Sequence, residues 1–334
     1  MSVSRKGLLP RVLGAVLLAL VPVVATAFSP WAAATGLLVL GMLPTLTAAG
    51  SGPKAMAASA GVSGVTAFLA VLAASAGPWV PVLGVALVVV LSLATGALAV
   101  RGLHPVGAAT ISLAAYVLVD PSSVVAFLDT RIPSLTAAGL VAVVILLGCA
   151  WALAVVAVML RGVRLPANRE AATLPYGVLL AALCGGFTLI CVLWFAGTNA
   201  WWAVLTVAVI LQPTYGQTRT KMYGRILGTV LGGTTAALVV LVLPATVAVL
   251  LGVVASLASV LLLMADADYW KYSTAVTVSV ILLTFDSTTA IAGDLQRVTV
   301  TIVAAVVTAA AVGIATRLLP DRLLEQREPA PETP

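Results

Sequence analysis

Lys54 and Arg225 lie 171 positions apart, and each follows an apolar run interrupted by proline, at Pro44 in one case and at Gln212-Pro213 in the other. Proline removes a backbone donor and clashes with the preceding turn, which frees carbonyls at depth. Such backbone is tolerated in a membrane only against protein or a water-filled cavity. A cation at the mouth of that cavity draws anions to it. Arg219 and Lys221 add charge beside Arg225, and Thr35, Thr206 and Gln212 place polar groups along the interrupted runs. The plainer reading of the four cations is that they mark the cytoplasmic side of a bilayer, and spacing alone leaves both readings open.

A second constellation pairs Asp120 with Arg131 and Asp286 with Arg297, acid and base eleven apart both times. At loop ends these groups are expected to be solvated or to pair within their loops, where exposed pairs contribute roughly 0–1 kcal/mol. An aspartate that reached the cavity would be the group to couple transport to proton movement. Asp266 and Asp268, beside Tyr269-Trp270-Lys271, are expected at the cytoplasmic interface with a structural role. Gly224, Gly228 and Gly232 recur every four residues, the spacing that lets two helices approach closely; Ala57 and Gly61 are their counterparts in the first half.

The elements that must position these groups follow from composition. Of 334 residues, 62% are apolar and 8% charged, and the mean hydropathy is +1.17. A water-soluble domain carries about 25% charged residues, so a soluble globular enzyme is excluded, and disorder, which needs low hydrophobicity, is excluded as well. A helix crosses the hydrocarbon in roughly 20 residues. Apolar runs at about 11–28, 31–47, 55–76, 80–100, 106–119 and 135–160, then 176–195, 201–213, 225–243, 246–264, 273–286 and 298–319, predict twelve spans. They are long, rich in Ala and Leu and without period-2 alternation, so strands are not expected.

With a cytoplasmic N-terminus, fifteen of the seventeen basic residues fall inside, leaving Arg131 and Arg297 outside. That is the bias of the positive-inside rule, and it puts both termini in the cytoplasm. Trp31, Trp79, Trp194, Trp201 and Trp202 then fall at the outer interface, where aromatic belts form. A rival reading of the first span stays open: Arg5, Lys6 and Arg11, an apolar run and Ala25-Thr26-Ala27 also fit a cleavable secretory signal.

An offset of 171 aligns Trp31 with Trp202, Thr35 with Thr206, Lys54 with Arg225 and Gly61 with Gly232; an offset of 166–167 then aligns Thr110 with Thr277, Asp120 with Asp286 and Arg131 with Arg297. These matches predict a tandem duplication. Six spans is an even number, so both repeats enter the membrane in the same sense, related by a pseudo-two-fold axis along its normal. The predicted fold class is an all-α membrane protein of about twelve transmembrane helices in two tandem parallel six-helix repeats. Residues 1–160 form the first bundle, 161–174 a short basic cytoplasmic linker, 175–320 the second bundle, and 321–334 a polar tail expected to be disordered.

Cys149, Cys184 and Cys191 lie inside apolar runs without metal-ligand spacing, and His104 is the single histidine, so no metal site is expected. There is no phosphate-binding glycine loop, no Gly-x-Ser-x-Gly and no His-Glu-x-x-His, and the chain is read as neither an enzyme nor a cofactor protein. The pI near 9.5 does not imply nucleic acid, because the basic residues are not gathered in one domain.

Trp201-Trp202-Ala203-Val204-Leu205-Thr206, then Leu211-Gln212-Pro213, then Arg225-Ile226-Leu227-Gly228-Thr229-Val230-Leu231-Gly232 resembles the signature of the fusaric acid resistance protein family. Arg297, an apolar helix and Leu319-Pro320 are similar to that family's closing segment, and the likeness covers roughly 175–320. The first half follows the pattern weakly, with Lys54-Ala55-Met56-Ala57 where Arg-Ile-Leu-Gly stands in the second. The resemblance implies efflux of aromatic carboxylic acids across a bacterial inner membrane. It also implies kinship with aluminium-activated malate transporters, in which two six-span bundles surround one pore. Residue by residue it makes Arg225 the anion contact, with Lys54 as its weaker counterpart.

The expected partners are the lipid bilayer and a small organic anion, with no nucleic acid. A homo-oligomer or an accessory role in envelope building stays open. Proton-coupled efflux, a passive anion channel of the same architecture and a non-transporting scaffold are the alternatives for function.

Overall fold

In lipid the backbone must satisfy its own hydrogen bonds, and long runs of Ala, Leu and Val do so as helices. The computed structural model describes residues 5–318 apart from 100, 129–131, 162–173, 214, 266 and 285–289. The described residues are helical with short connections. The helices are α1 (Arg5–Ala27), α2 (Thr35–Thr47), α3 (Pro53–Ala74), α4 (Val80–Ala99), α5 (His104–Val119), α6 (Pro121–Val125) and α7 (Ser134–Met159), followed by α8 (Leu174–Trp194), α9 (Trp202–Ile210), α10 (Tyr215–Val242), α11 (Ala245–Met264), α12 (Tyr269–Thr284) and α13 (Ala290–Leu318). Each apolar run named above falls on one of them.

Eight helical stretches among the described residues are long and apolar enough to cross a bilayer: Pro10–Ala27, Ala32–Ser51, Pro53–Ala74, Gly77–Ala99, Ser134–Met159, Tyr176–Trp194, Gly216–Val242 and Leu295–Leu318. Shorter apolar helices run over His104–Val119, Asn199–Ile210 and Thr246–Ser259. The linker 161–174 lies almost wholly outside the described residues, as does the tail 321–334.

Packing rests on small residues, because lipid is as apolar as a leucine side chain and gives helices little hydrophobic reason to associate. Gly41 of α2 meets the Ile145 carbonyl of α7, and a Cβ on Gly148 of α7 would stand 2.5 Å from the Leu38 carbonyl. On α4, a Cβ on Gly96 would lie 2.5 Å from the Gly177 Cα of α8, so these two backbones are nearly in contact. The helices pair as α2 with α7, α3 with α5 and α7, and α4 with α5; further along, α9 pairs with α13, α10 with α12 and α13, and α11 with α12. Across the middle of the chain α4 packs on α8, α1 on α11, and α5 on α9. One continuous core draws on both sides of that division, from Leu37, Ile111 and Ile145 to Leu180, Val204 and Ala304. The three cysteines are buried in it, and Cys149 Sγ donates to the Gly41 carbonyl at 3.0 Å.

Three expectations change. Pro44 does not end α2: the helix runs on to Thr47, whose Oγ1 donates to the Pro44 carbonyl at 2.9 Å, and the chain turns only at Gly52, where φ is +92°. Trp201 and Trp202 are buried rather than belt residues, while Trp31, Trp79 and Trp194 are exposed as an interfacial position requires. Asp120 is buried as well, and α6 explains why. The aspartate is its N-cap, accepting from Ser123 N–H at 3.2 Å and from Ser122 Oγ at 2.9 Å, with Pro121 at the first helical position.

Candidate functional site

The site begins where α9 stops. After a 3-10 turn over Asn199–Trp201, capped by the Thr198 hydroxyl accepting from Ala200 N–H at 3.3 Å, α9 runs only to Ile210. Leu211 is extended, with φ −66° and ψ 118°, and Pro213 cannot donate to a new turn. Residues 211–213 thus form an elbow whose polar groups need partners from elsewhere. Gln212 supplies most of them: its Nε2 donates to the carbonyls of Val209 at 2.9 Å and Leu211 at 3.0 Å, and its backbone N–H donates to Thr218 Oγ1 at 3.0 Å. Its remaining side-chain acceptor, Oε1, receives Lys221 Nζ at 2.8 Å. The elbow is therefore a fixed, cation-bearing corner rather than a slack loop.

One turn beyond Lys221 along α10 comes Arg225, 5% exposed. Its guanidinium lies beside Tyr269 and Tyr272 of α12, and its Nε has no hydrogen-bond partner. What brings α12 so close is the glycine row. A Cβ on Gly224 would fall 2.7 Å from Tyr269 Cδ1, one on Gly228 2.5 Å from Ser273 Cβ, and one on Gly232 2.7 Å from the Thr274 carbonyl and Thr277 Cβ. Each step of four on α10 meets a step of about four on α12, so the two helices run in the same direction and hold Tyr269 against Arg225. Lys221 faces the same Tyr269 ring at 6.0 Å, whereas Arg219 is exposed over Tyr223 at 5.8 Å.

Lys54, the counterpart of Arg225, is exposed at the second position of α3, and Gly61 has nothing within 4 Å of a built Cβ. The two halves thus put matched sequence positions in unlike surroundings. Thr35 and Thr206 do share one: both are buried, and each Oγ1 is without a partner. Asp120 is held as a cap, and Asp286 and Arg131 lie outside the described residues.

The sequence reading missed Arg297. It was expected at a solvated loop end, but it lies on α13, is fully buried, and holds its guanidinium 3.9 Å from the centre of the Trp202 ring. Trp202 stacks on Trp201 at 4.3 Å, and Trp201 meets Tyr116 of α5 at 5.0 Å. A basic residue one apolar helix before the chain's polar end carries no mark of its depth. The only available signal was the Trp201-Trp202 pair, two large rings that need something to pack against.

Two clefts open at the α6 side. One of about 170 Å³ is lined by Val71, Ser75, Val117 and Ser122, and one of about 530 Å³ by Pro78, Leu118, Ser122 and Gly197. Neither touches Arg225 or Arg297, so both arginines are closed off from them.

Buried arginines inside a bundle of apolar helices define an integral membrane protein of the transport-related class, since intramembrane charge is costly and serves a pathway. Residues 187–316 match the family described as fusaric acid resistance protein-like. Proteins of the family are membrane transporters rather than enzymes. No curated protein matches the chain, and no solved structure does.

Proposed function

We propose that the chain exports organic anions, aromatic carboxylates among them, across a bacterial inner membrane, with Arg225 as the anion contact. The observation that carries this reading is a nearly fully buried guanidinium, its Nε without a hydrogen-bond partner, one helical turn from a non-helical elbow whose own polar groups are already satisfied. Lys221 and Gln212 hold the elbow in shape, Arg219 and Lys54 raise the local anion concentration from exposed positions, and Thr35 and Thr206 offer hydroxyls along the passage.

In this reading the chain crosses the bilayer twelve times as two parallel repeats, with both termini in the cytoplasm. The pairings support it. Exchanging the repeats turns α2–α7 into α9–α13, α3–α5 into α10–α12, α4–α5 into α11–α12 and α3–α7 into α10–α13, each of which occurs. Between the repeats α4–α8 becomes α11–α1, which occurs, whereas α5–α9 has no comparable α12–α2 pairing among the described residues. An α9 of nine residues spans less than half of the hydrocarbon at about 1.5 Å per residue, so the elbow completes the crossing as irregular backbone.

The test is a proteoliposome flux panel of aromatic and dicarboxylic acids, with and without a pH gradient. Saturable flux of benzoate-like acids, lost on Arg225→Gln, is the expected outcome; absence of flux for every acid retires the proposal. One observation favours a second reading, a passive anion channel. The described candidate for proton coupling, Asp120, has its carboxylate committed to Ser122 and Ser123. Flux indifferent to the pH gradient would select the channel.

A further inference from the structure

His104 is the single histidine of the chain, and the transport reading gives it no task. It is the first residue of α5, 3% exposed, and its ring meets that of Tyr176 edge-on at 6.3 Å between centroids. Tyr176, 4% exposed, stands near the start of α8, so the contact joins the first part of the chain to the second. The next residue, Gly177, is where α8 comes against α4: a Cβ on Gly96 would lie 2.5 Å from the Gly177 Cα. One turn into α5, Gly107 fits against the Thr95 side chain of α4. The two rings thus close one end of a tightly packed seam of three helices, α4, α5 and α8.

Imidazole is the one side chain whose ordinary titration falls between pH 5 and 8. A proton on His104 would bring three costs. The charge would stand in a buried contact, where lost hydration is expensive. It would stand at the N-terminus of α5, the positive end of the helix dipole, where Leu103 supplies no side-chain cap. Arg101, exposed three residues earlier, adds a like charge. The Tyr176 ring can attract a cation through its face, but a ring quadrupole restores only part of what water supplied.

Among the described residues no carboxylate faces His104 to offset these costs. Of the elements that pack on α5, α3 brings the exposed Lys54 and α8 brings Tyr176, Cys184 and Cys191. The helices α2, α4, α6 and α9 and the turn over Asn199–Trp201 bring no titratable group. Asp120 caps α6 at the far end of α5, about 24 Å away at about 1.5 Å per residue. Arg164, Arg169 and Glu170 of the linker lie outside the described residues.

We propose that His104 is an acid-sensitive latch between the two parts of the chain. Neutral, it holds the first turns of α5 and α8 together; protonated, it releases them and frees α4 and α8 to tilt at the Gly96–Gly177 contact. The latch does not depend on what the chain carries.

The test is hydrogen exchange on the full chain in lipid nanodiscs, purified without a polyhistidine tag so that a single imidazole titrates. It is read at about pH 7.5 and about pH 5.5, either side of the ordinary imidazole value. After correction for the intrinsic effect of pH on exchange, amides of residues 108–112 and 178–184 should exchange at least about five-fold faster at the lower pH, the low end of coupling between linked sites. The helices α10 and α12 serve as the internal reference and should not change. His104→Gln, which takes up no proton in this range, should exchange alike at both pH values. His104→Phe keeps a ring against Tyr176 and should behave in the same way, so it decides the matter if the Gln variant fails to fold. Tyr176→Phe keeps the ring contact and loses only a buried hydroxyl without a partner, so it should keep the response.

No acid effect in the unaltered chain, or one spread evenly over all helices, overturns the latch. An effect that survives His104→Gln and His104→Phe, or that is lost in Tyr176→Phe, overturns it too. So does slower exchange at the lower pH, the sign that a carboxylate partner would give. Absence of benzoate flux, by contrast, retires the transport reading alone.

Discussion

Replacing Arg225 by Gln and, separately, Lys54 by Gln should have sharply unequal effects, although the two positions match in sequence. A guanidinium and a carboxylate about 4 Å apart attract by about 4 kcal/mol at an effective dielectric of about 20. Lost hydration takes back a large part, and hydrogen bonds to charged groups are worth about 1.5–3 kcal/mol net. For Arg225, buried between α10 and α12, this predicts a loss of roughly ten- to hundred-fold in benzoate flux at sub-saturating concentration. Lys54 is exposed, and an exposed charge contributes no more than about 1 kcal/mol, roughly fivefold. Salt separates the two further, because screening acts on solvated charges: at about 0.5 M the Debye length falls to about 4–5 Å. There the Lys54→Gln defect should vanish and the Arg225→Gln defect persist. The assay is initial-rate efflux from proteoliposomes at about 0.05 and 0.5 M salt, normalised to inserted protein. Equal losses in the two variants, or an Arg225 defect that salt erases, would refute the assignment of a desolvated contact at Arg225.

Gly228→Ala should destabilise the α10–α12 pair: its Cβ would sit 2.5 Å from Ser273 Cβ, and overpacking of about 1–3 kcal/mol outweighs a helix-propensity gain of about 1 kcal/mol. Gly61→Ala meets open space and should leave Tm unchanged or raised; thermal unfolding in detergent compares the two. Asp120→Ala should cost about 1 kcal/mol through loss of the α6 cap. Asp120→Asn keeps the cap and should leave both stability and the pH dependence of flux intact; a flattened pH profile in that variant would make Asp120 a proton carrier instead.

Much of this architecture was legible because length and apolarity encode a membrane helix directly: every apolar run named from the sequence falls on a helix, and eight helical stretches among the described residues are long and apolar enough to cross a bilayer. The glycine row was legible too, since a spacing of four has a single geometric meaning on a helix, and α12 packs where it predicts. Gln212-Pro213 announced the elbow, whereas Pro44 announced a break that does not occur: α2 packs on α7 along its length, and that contact carries the helix past its missing donor. The short α6 was written in Asp120-Pro121-Ser122-Ser123, a cap followed by a proline at the first helical position, but a five-residue helix has no periodicity to draw attention. Depth was the quantity that could not be read. A lone Arg looks the same at a loop end as inside a bundle, so Arg297 was placed in solvent. Lys54 and Arg225 looked equivalent, because what separates them is tertiary: a tyrosine pair from α12 beside one and open space beside the other.

The near-contact of Gly96 with Gly177 bears on motion. At that point there is no side chain between the backbones of α4 and α8, while further along Val85 and Val89 of α4 lie against Gly185 of α8, so sliding one helix along the other would drive those side chains into bare backbone. Tilting about the point of closest approach meets far less resistance. Should the first and second parts of the chain rock against each other, this pair of glycines is the fulcrum, and even one added methyl group there would force the two backbones apart.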